Sequence, residues 1–279
     1  MSARSAVAPV ARRGIRSAAR LFDRVAAPPV GAVVLAYHQV GGPKRGSVNL
    51  PREAFADQMA MLAEGRGDRP VLDLDAVVDE VGDPVGSGRA SVAVTFDDGT
   101  ADFVDHALPV LVDHGLPVTL YLATGHVDDG RSFWDDGTVL SWAALRDATS
   151  TGLVTIGCHT HDHILLDRTE PDRVATDLDR SIDRIATELG HRPVHFAYPK
   201  ALAPSAAAKA LVRARFASAA LAGGRANLPG GTDLWALDRT PITVADGPDD
   251  VAAKVAGGLR LEAGVRALVD RIRYRDATR

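Results

Sequence analysis

Apolar runs of strand length alternate with stretches of helical periodicity along most of this chain. The apolar runs are partly β-branched, which is typical of strands buried on both faces. They predict strands at 30–37, 91–96, 117–122, 153–158, 194–198, 216–221 and 239–244. The periodic stretches predict helices at 50–65, 100–114, 141–148, 171–189, 205–215 and within 249–274, with a short strand and helix in 71–81 and a loop at 125–137. This alternation, without a repeat of fixed period, predicts an α/β fold with a parallel sheet covered by helices.

Four of the predicted strands are followed by polar side chains that do not continue the apolar pattern. These side chains are His38, Asp97 with Asp98, His159 with His163, and Lys200. In a parallel α/β barrel the carboxyl ends of all strands lie on one face. We therefore expect these groups to converge on one pocket.

The adjacent carboxylates of Asp97 and Asp98 follow the strand at 91–96 and precede Gly99. Two adjacent carboxylates repel each other and lose hydration energy when they are buried. We therefore expect a buried pair where a cation binds to it or where it takes part in proton transfer. A solvated turn is the alternative, because Asp and Gly are ordinary turn residues.

His159 and His163 lie four positions apart, which lets both imidazoles face one point. With one carboxylate they make a site for a divalent cation that leaves a position open for water, and the second carboxylate can act as a base. A histidine across the site could protonate a leaving amine, and these parts together suit a metal-dependent amide hydrolase. Solvated histidines on a loop are the alternative. His161 and Asp162 are expected to be solvated.

Composition narrows the class of protein. The chain has 279 residues, 46% of them apolar, which suffices for one large domain or two small ones. Its net charge of −4 gives no case for a nucleic-acid partner. One cysteine, Cys158, excludes an internal disulfide framework and a cysteine-rich zinc site, and its apolar strand favours a small buried residue. No apolar run of 18 residues is present, so no membrane-spanning helix is predicted.

Residues 1–28 form a basic arm rich in Ala and Arg, and residues 29–279 form the predicted domain, with helices from about 249. Charges interrupt every candidate signal-peptide core in the arm, and Arg12-Arg13 is a weak twin-arginine signal. The arm is either loosely helical or a basic amphipathic helix that lies on a membrane surface or a partner. We expect a cytoplasmic protein, with the arm as a candidate contact to the inner membrane face.

Two short motifs carry a family resemblance. TFDDG at 95–99 and HTHDH at 159–163 resemble the first two motifs of the polysaccharide deacetylases, carbohydrate esterase family 4 with its NodB-homology domain. The pair, in this order and roughly sixty residues apart, is highly specific. LSW at 140–142 and FAYP at 196–199 are also similar, and the similarity runs from about residue 32 to 245. LAYHQV at 35–40 resembles the branch that deacetylates poly-N-acetylglucosamine, in which the motif order is permuted.

The resemblance implies a single-domain, distorted (β/α) barrel of about seven parallel strands that removes acetyl groups from N-acetylated sugars of a polysaccharide or glycoconjugate. It implies that Asp97 is the base and that Asp98, His159 and His163 bind a divalent metal, usually zinc. The acetyl oxygen would lie against the metal and a backbone N–H near Lys200, as in an oxyanion hole. The expected substrate-binding residues are Tyr198, Pro199, Lys200 and Trp134, although Trp134 packed on the barrel is an equal alternative.

The chain departs from the family pattern in its acid and its arginine. No histidine follows Pro241, so the permuted motif assigns the general acid to His38, with a purely structural histidine as the alternative. The usual arginine of the third motif is missing; Arg239 is a candidate replacement or an ordinary surface arginine, and Lys200 stands where an aromatic is usual. A carbohydrate-binding homologue without turnover and an amidohydrolase acting on a small non-sugar amide are the competing readings.

Overall fold

The computed structural model describes Ala19 and residues 30–65, 69–85, 89–133 and 137–259. Seven of its strands form one parallel sheet in the order β8-β7-β6-β5-β4-β1-β9, and β2 pairs with β3 beside it. The strands are β1 (Ala32–Tyr37), β2 (Gln39–Val40), β3 (Asn49–Leu50), β4 (Ser91–Phe96), β5 (Val118–Leu122), β6 (Val154–Cys158), β7 (His195–Ala197), β8 (Ser218–Ala220) and β9 (Arg239–Pro241).

The two edges of the seven-stranded sheet approach each other. Ala220, at the end of β8, forms a parallel bridge with Leu237, which lies just before β9. The Leu221 amide also donates to the Leu237 carbonyl at 2.8 Å. The sheet is therefore a nearly closed barrel, and the predicted α/β barrel of about seven parallel strands is confirmed.

Eight α-helices connect and cover the described strands. They are α1 (Arg52–Glu64), α2 (Leu74–Gly82), α3 (Leu108–His114), α4 (Thr124–Asp129), α5 (Trp142–Thr149), α6 (Pro171–Leu189), α7 (Ala206–Arg213) and α8 (Pro248–Val255). The predicted limits of α6 match, because Pro171 suits a first helical position and Gly190 ends the helix at φ 79°.

Two segments differ from the sequence prediction. The helix predicted over 100–114 begins with a turn and a π-helical stretch, Phe103–Ala107, before α3. The predicted loop at 125–137 contains α4, which ends at Gly130 with φ 60°. Glycine and acidic residues hid this short helix, because it has no apolar periodicity of its own.

Helix α2 closes the end of the barrel opposite the strand carboxyl ends. The Ser91 hydroxyl, at the start of β4, donates to Glu80 at 2.8 Å, and His195, at the start of β7, lies 3.1 Å from Asp75. The apolar side of α2 shares a buried cluster with small strand residues, including Ala93. These small side chains leave room inside the barrel for larger polar ones.

Helix α8 is held by the Lys254 ammonium, which donates to the Pro241 carbonyl at 2.9 Å and to Asp246 at 2.8 Å. The rest of the predicted 249–274 helical region and almost all of the basic arm lie outside the described residues, so the membrane contact of the arm stays a prediction. No helix in the part of the chain that the structure describes is both long and apolar enough to cross a membrane.

Candidate active site and metal centre

Polar side chains gather at the carboxyl ends of β1, β4 and β6. His38 follows β1, Asp97 and Asp98 follow β4, and His159 follows β6. Strands β1 and β4 pair in register from Ala32 opposite Ser91 to Tyr37 opposite Phe96, so His38 and Asp97 leave the sheet side by side. The barrel thus brings together groups that lie far apart in sequence.

Asp98, His159 and His163 form a cluster with the composition of a metal site. Asp98 Oδ1 lies 3.7 Å from His159 Nε2 and 3.6 Å from His163 Nε2, and all three ligand atoms lie within 4.8 Å of one another. Ligands about 2.0–2.1 Å from a tetrahedral zinc ion are separated by about 3.3 Å, which is a few tenths of an ångström less than the two separations from Asp98. Three protein ligands also leave the open position of a catalytic site.

The backbone of this cluster is unusual for its residue types. Asp98 has φ 76° and His163 has φ 55°, both in the left-handed region that non-glycine residues rarely adopt. The two histidines therefore meet through a tight loop and not across a turn of helix. Such strain concentrates at functional sites.

His159 is oriented for coordination through Nε2. Its Nδ1 lies 2.7 Å from the Ala197 carbonyl and donates to it, which leaves the Nε2 lone pair facing Asp98. Burial lowers the pKa of His159 to about 4, and burial together with His159 also lowers the pKa of His163 well below its usual value. Both rings are therefore neutral at pH 7, which is the form that binds a metal.

Arg239 and Asp97 form a buried, two-pronged ion pair inside the barrel. The two terminal nitrogens of Arg239 donate to the two carboxylate oxygens at 2.6 and 2.8 Å. The Arg239 Nε donates to the Leu221 carbonyl at 3.1 Å, and the guanidinium lies 5.3 Å from the centre of the Tyr121 ring. Arg239 is 1% exposed, so the surface-arginine alternative does not hold.

This pair fixes the charge of Asp97. Burial acts to raise the pKa of the carboxyl, but the positive charge and hydrogen bonds of Arg239, with smaller contributions from His159 and His38, outweigh burial. The pKa of Asp97 is therefore well below its ordinary value, and the carboxylate is ionised at neutral pH.

His38 faces Asp97 from the mouth of the barrel. Its Nε2 lies 3.7 Å from Asp97 Oδ2, and its side chain is 30% exposed, whereas that of Asp97 is 5% exposed. Two residues after His38, the backbone N–H of Val40 donates a hydrogen bond to the Asp102 carboxylate at 2.7 Å. His38 therefore borders solvent on a backbone that a buried acid holds in place.

Asp177 of α6 holds the loop that carries the metal-site histidines. Its two carboxylate oxygens accept from the amides of His161 at 2.7 Å and Asp162 at 3.0 Å. Sequence reasoning missed both Asp177 and Asp102. For Asp177 a signal existed, because it interrupts the buried face of an otherwise regular amphipathic helix.

His161 is buried, so the expectation that it is solvated is wrong, whereas Asp162 is exposed as expected. The Nδ1 of His161 lies 2.8 Å from the hydroxyl of Thr124, and this hydroxyl is hydrogen-bonded to Ser181 of α6. A Cβ added at Gly125 would lie 2.8 Å from the His161 carbonyl oxygen. The loop is thus packed tightly between α4 and α6.

The remaining predicted site residues divide into core and cleft. Tyr198 is buried and its hydroxyl donates to the Trp235 carbonyl at 3.1 Å, so its ring packs inside the fold next to the buried Pro199. Lys200 has φ 54° and lines a cleft that His163 also lines. Trp134 lies outside the described residues.

Comparison with known proteins gives one family. The sequence profile of the family described as "Polysaccharide deacetylase" matches residues 85–218. The poly-beta-1,6-N-acetyl-D-glucosamine N-deacetylases of Staphylococcus epidermidis and Staphylococcus aureus are 35% and 32% identical to this chain over 74 residues. The matched stretch covers 26% of this chain and 25% of the length of each of these two relatives.

Solved structures resemble more than four fifths of this chain. IcaB from Ammonifex degensii is 26% identical, with a TM-score of 0.68 over 84% of this chain and 98% of that one. The deacetylase PplD of Streptococcus pyogenes, in complex with acetate, is 19% identical, with a TM-score of 0.71 over 81% and 99% of the two chains. The second likeness supports the fold alone.

Proposed function

We propose, because residues 85–218 match the polysaccharide deacetylase family, that this chain is a metal-dependent hydrolase that removes acetyl groups from N-acetylglucosamine units of a glycan. One observation carries the proposal: an ionised carboxylate lies beside three side chains that could hold a metal ion, at one end of the barrel. The similarity to relatives named for poly-N-acetylglucosamine supports this class of substrate.

Asp98, His159 and His163 would hold the cation, which we propose to be zinc because two histidines and one carboxylate are ligands that zinc favours. A divalent cation there would polarise the acetyl carbonyl and make a water more acidic. The protein supplies the proton transfers and the positioning around it.

Asp97 is the proposed base. An ionised carboxylate has about four acceptor positions, and Arg239 uses two of them. The remaining positions can accept the proton of an attacking water while Arg239 keeps the carboxylate from rotating. Arg239 is thus a positioning residue, since it acts on the reaction through Asp97.

His38 is the proposed acid. It lies at the open side of Asp97 and is the more exposed of the two groups, so a leaving amine can reach it. When the tetrahedral intermediate collapses, the amine nitrogen takes a proton from His38 and the acetyl group leaves as acetate.

Acetate release tests the proposal. Zinc-loaded protein is incubated with β-1,6-linked N-acetylglucosamine oligomers, chitin oligomers and a small acetamide, and acetate is measured enzymatically. We expect acetate from an oligomer, loss of at least about 10²-fold in kcat with Asp97→Asn, and loss of 10²–10⁴-fold with His38→Gln, the typical contribution of a general acid. Binding of oligomers without acetate, or turnover of the small amide alone, contradicts the proposal.

A further inference from the structure

A cleft of about 510 Å³ opens beside the metal-site cluster. His163 lines the cleft and also belongs to the cluster, and Lys200 lines the cleft at the strand end after β7. A group that occupies this cleft would therefore lie next to an acetyl group held at the cluster.

Basic side chains dominate the walls of the cleft. Four of them come from separate segments of the chain: Arg131 after α4, Arg168 before α6, Arg173 in the first turn of α6, and Lys200. Asp162 is the one acidic residue that lines the cleft within the described chain. The described lining residues thus carry an excess of positive charge, whereas the whole chain has a net charge of −4.

The ion pairs around the cleft leave part of this charge uncompensated. Arg168 is neutralised locally, because its guanidinium binds the adjacent Asp167 through Nε and Nη2. Arg131 forms ion pairs with Asp162 and Asp129 at 3.7 and 3.8 Å, without a hydrogen bond, and all three side chains are exposed, so these pairs are weak. Among the described residues, no carboxylate lies within 4.0 Å of Arg173.

Two other arginines of the surface near α6 are paired closely. Arg184 binds Asp128 through two nitrogens at 2.8–3.1 Å, and Arg215 binds Asp179 at 2.7 and 2.8 Å. These two arginines are therefore neutralised by close partners, unlike Arg173 in the cleft.

A neutral acetylated sugar gives guanidinium groups no charge to bind, whereas a phosphate or carboxylate matches their forked donors. The cleft also has an apolar part, formed by Phe133, Ile164 and Leu165, on which a sugar face can lie. We propose that the cleft binds an anionic group, a phosphate or a carboxylate, carried by the glycan next to the sugar that is deacetylated. This inference rests on the proposed function and narrows its substrate to acidic glycans.

The experiment compares three oligomers with the zinc-loaded chain: a neutral β-1,6-linked N-acetylglucosamine oligomer, the same oligomer with a phosphate ester on the neighbouring sugar, and one that alternates N-acetylglucosamine with glucuronate. For each we measure kcat/KM from acetate release and the binding constant by calorimetry. We expect at least one anionic oligomer to exceed the neutral one by about tenfold or more in both quantities, the scale of one charge-assisted hydrogen bond. The stronger arm identifies the anion as phosphate or carboxylate.

The variants Arg131→Gln and Arg173→Gln should each reduce this anionic preference several-fold, and raising the ionic strength should reduce it in the unmodified chain. The control is Arg192→Gln, which removes an exposed guanidinium 3.8 Å from Asp183 and should leave the preference unchanged. Unaltered thermal midpoints ensure that the variants are folded.

The two proposals fail in different ways. Equal kcat/KM and equal binding for neutral and anionic oligomers, unaffected by either arginine variant, would overturn the anionic site while the proposed function stands. Absence of acetate release from every oligomer, together with tighter binding of an anionic one that needs Arg131 and Arg173, would support the anionic site and overturn the proposed function.

Discussion

Replacing Arg239 by Met should destabilise the folded chain by about 3–5 kcal/mol, the cost of leaving a buried charge without its partner. Asp97 is 4% exposed as a residue, and its carboxylate would lose two hydrogen bonds from the same guanidinium. Methionine retains most of the apolar volume inside the barrel, so the loss reports the charge and not a large cavity.

The measurement is urea unfolding followed by circular dichroism at pH 7, with a chelator in every sample so that metal binding does not add stability. Arg215→Met is a matched control, because Arg215 makes the same two-pronged contact with Asp179. That carboxylate is 53% exposed, so the control should lose only about 0–1 kcal/mol.

A second substitution makes the test specific for the charge. Asp97→Asn added to Arg239→Met should recover at least half of the lost stability, because a neutral amide is cheaper to bury than an unpaired carboxylate. It should not recover acetate release. A loss below about 1 kcal/mol for Arg239→Met, or no recovery in the double variant, would refute the reasoning that Arg239 compensates a buried charge.

Three further predictions follow from the contacts around the site. Asp177→Asn should weaken zinc binding by about 10–100-fold in a chelator competition titration, which is the usual effect of removing a group that orients metal ligands. The control is Asp183→Asn, on the exposed side of the same helix, which should leave the zinc affinity unchanged. Equal zinc affinities of the two variants would contradict the role of Asp177. Gly125→Ala should lower zinc affinity in the same titration, because its Cβ would press on the loop between the histidines, whereas Gly65→Ala meets nothing within 4 Å and serves as control. Burial acts to raise the pKa of Asp246, but the charge and hydrogen bond of the buried Lys254 outweigh burial and hold that pKa below 3.8. The pair therefore stabilises the fold above pH 3.8 and loses this contribution as the pH falls through the lower pKa of the folded state. In urea titrations, the stability difference between the unmodified chain and Asp246→Asn should shrink below pH 3.8, and a constant difference would disprove this.

The strand ends could be predicted from sequence because local patterns determine them. An apolar run without polar alternation specifies a strand buried on both faces, and a parallel barrel then places the residues after each run on one face. His38, Asp97 and His159 each directly follow such a run, so their convergence needed no knowledge of distant contacts. The confirmed barrel and the gathered strand ends have this common origin.

The supporting carboxylates could not be predicted in the same way. Asp102 binds the amide of Val40, 62 residues earlier in the chain, and Asp177 binds amides in a loop whose conformation no periodicity describes. The expectation of a solvated His161 failed for the same reason, since its burial depends on how α4 and α6 pack over the loop. Such contacts arise only after the elements have docked.

The nearly closed barrel has a consequence for how the chain acquires its chemistry. Arg239 enters with β9, which pairs with β1, so the first and last strands of the sheet are neighbours. Until β9 docks, the Asp97 carboxylate lacks the Arg239 guanidinium that compensates for its loss of hydration. Ribosomal synthesis therefore delivers Asp97 before Arg239, and docking of β9 adds both a wall of the barrel and the charge that compensates Asp97.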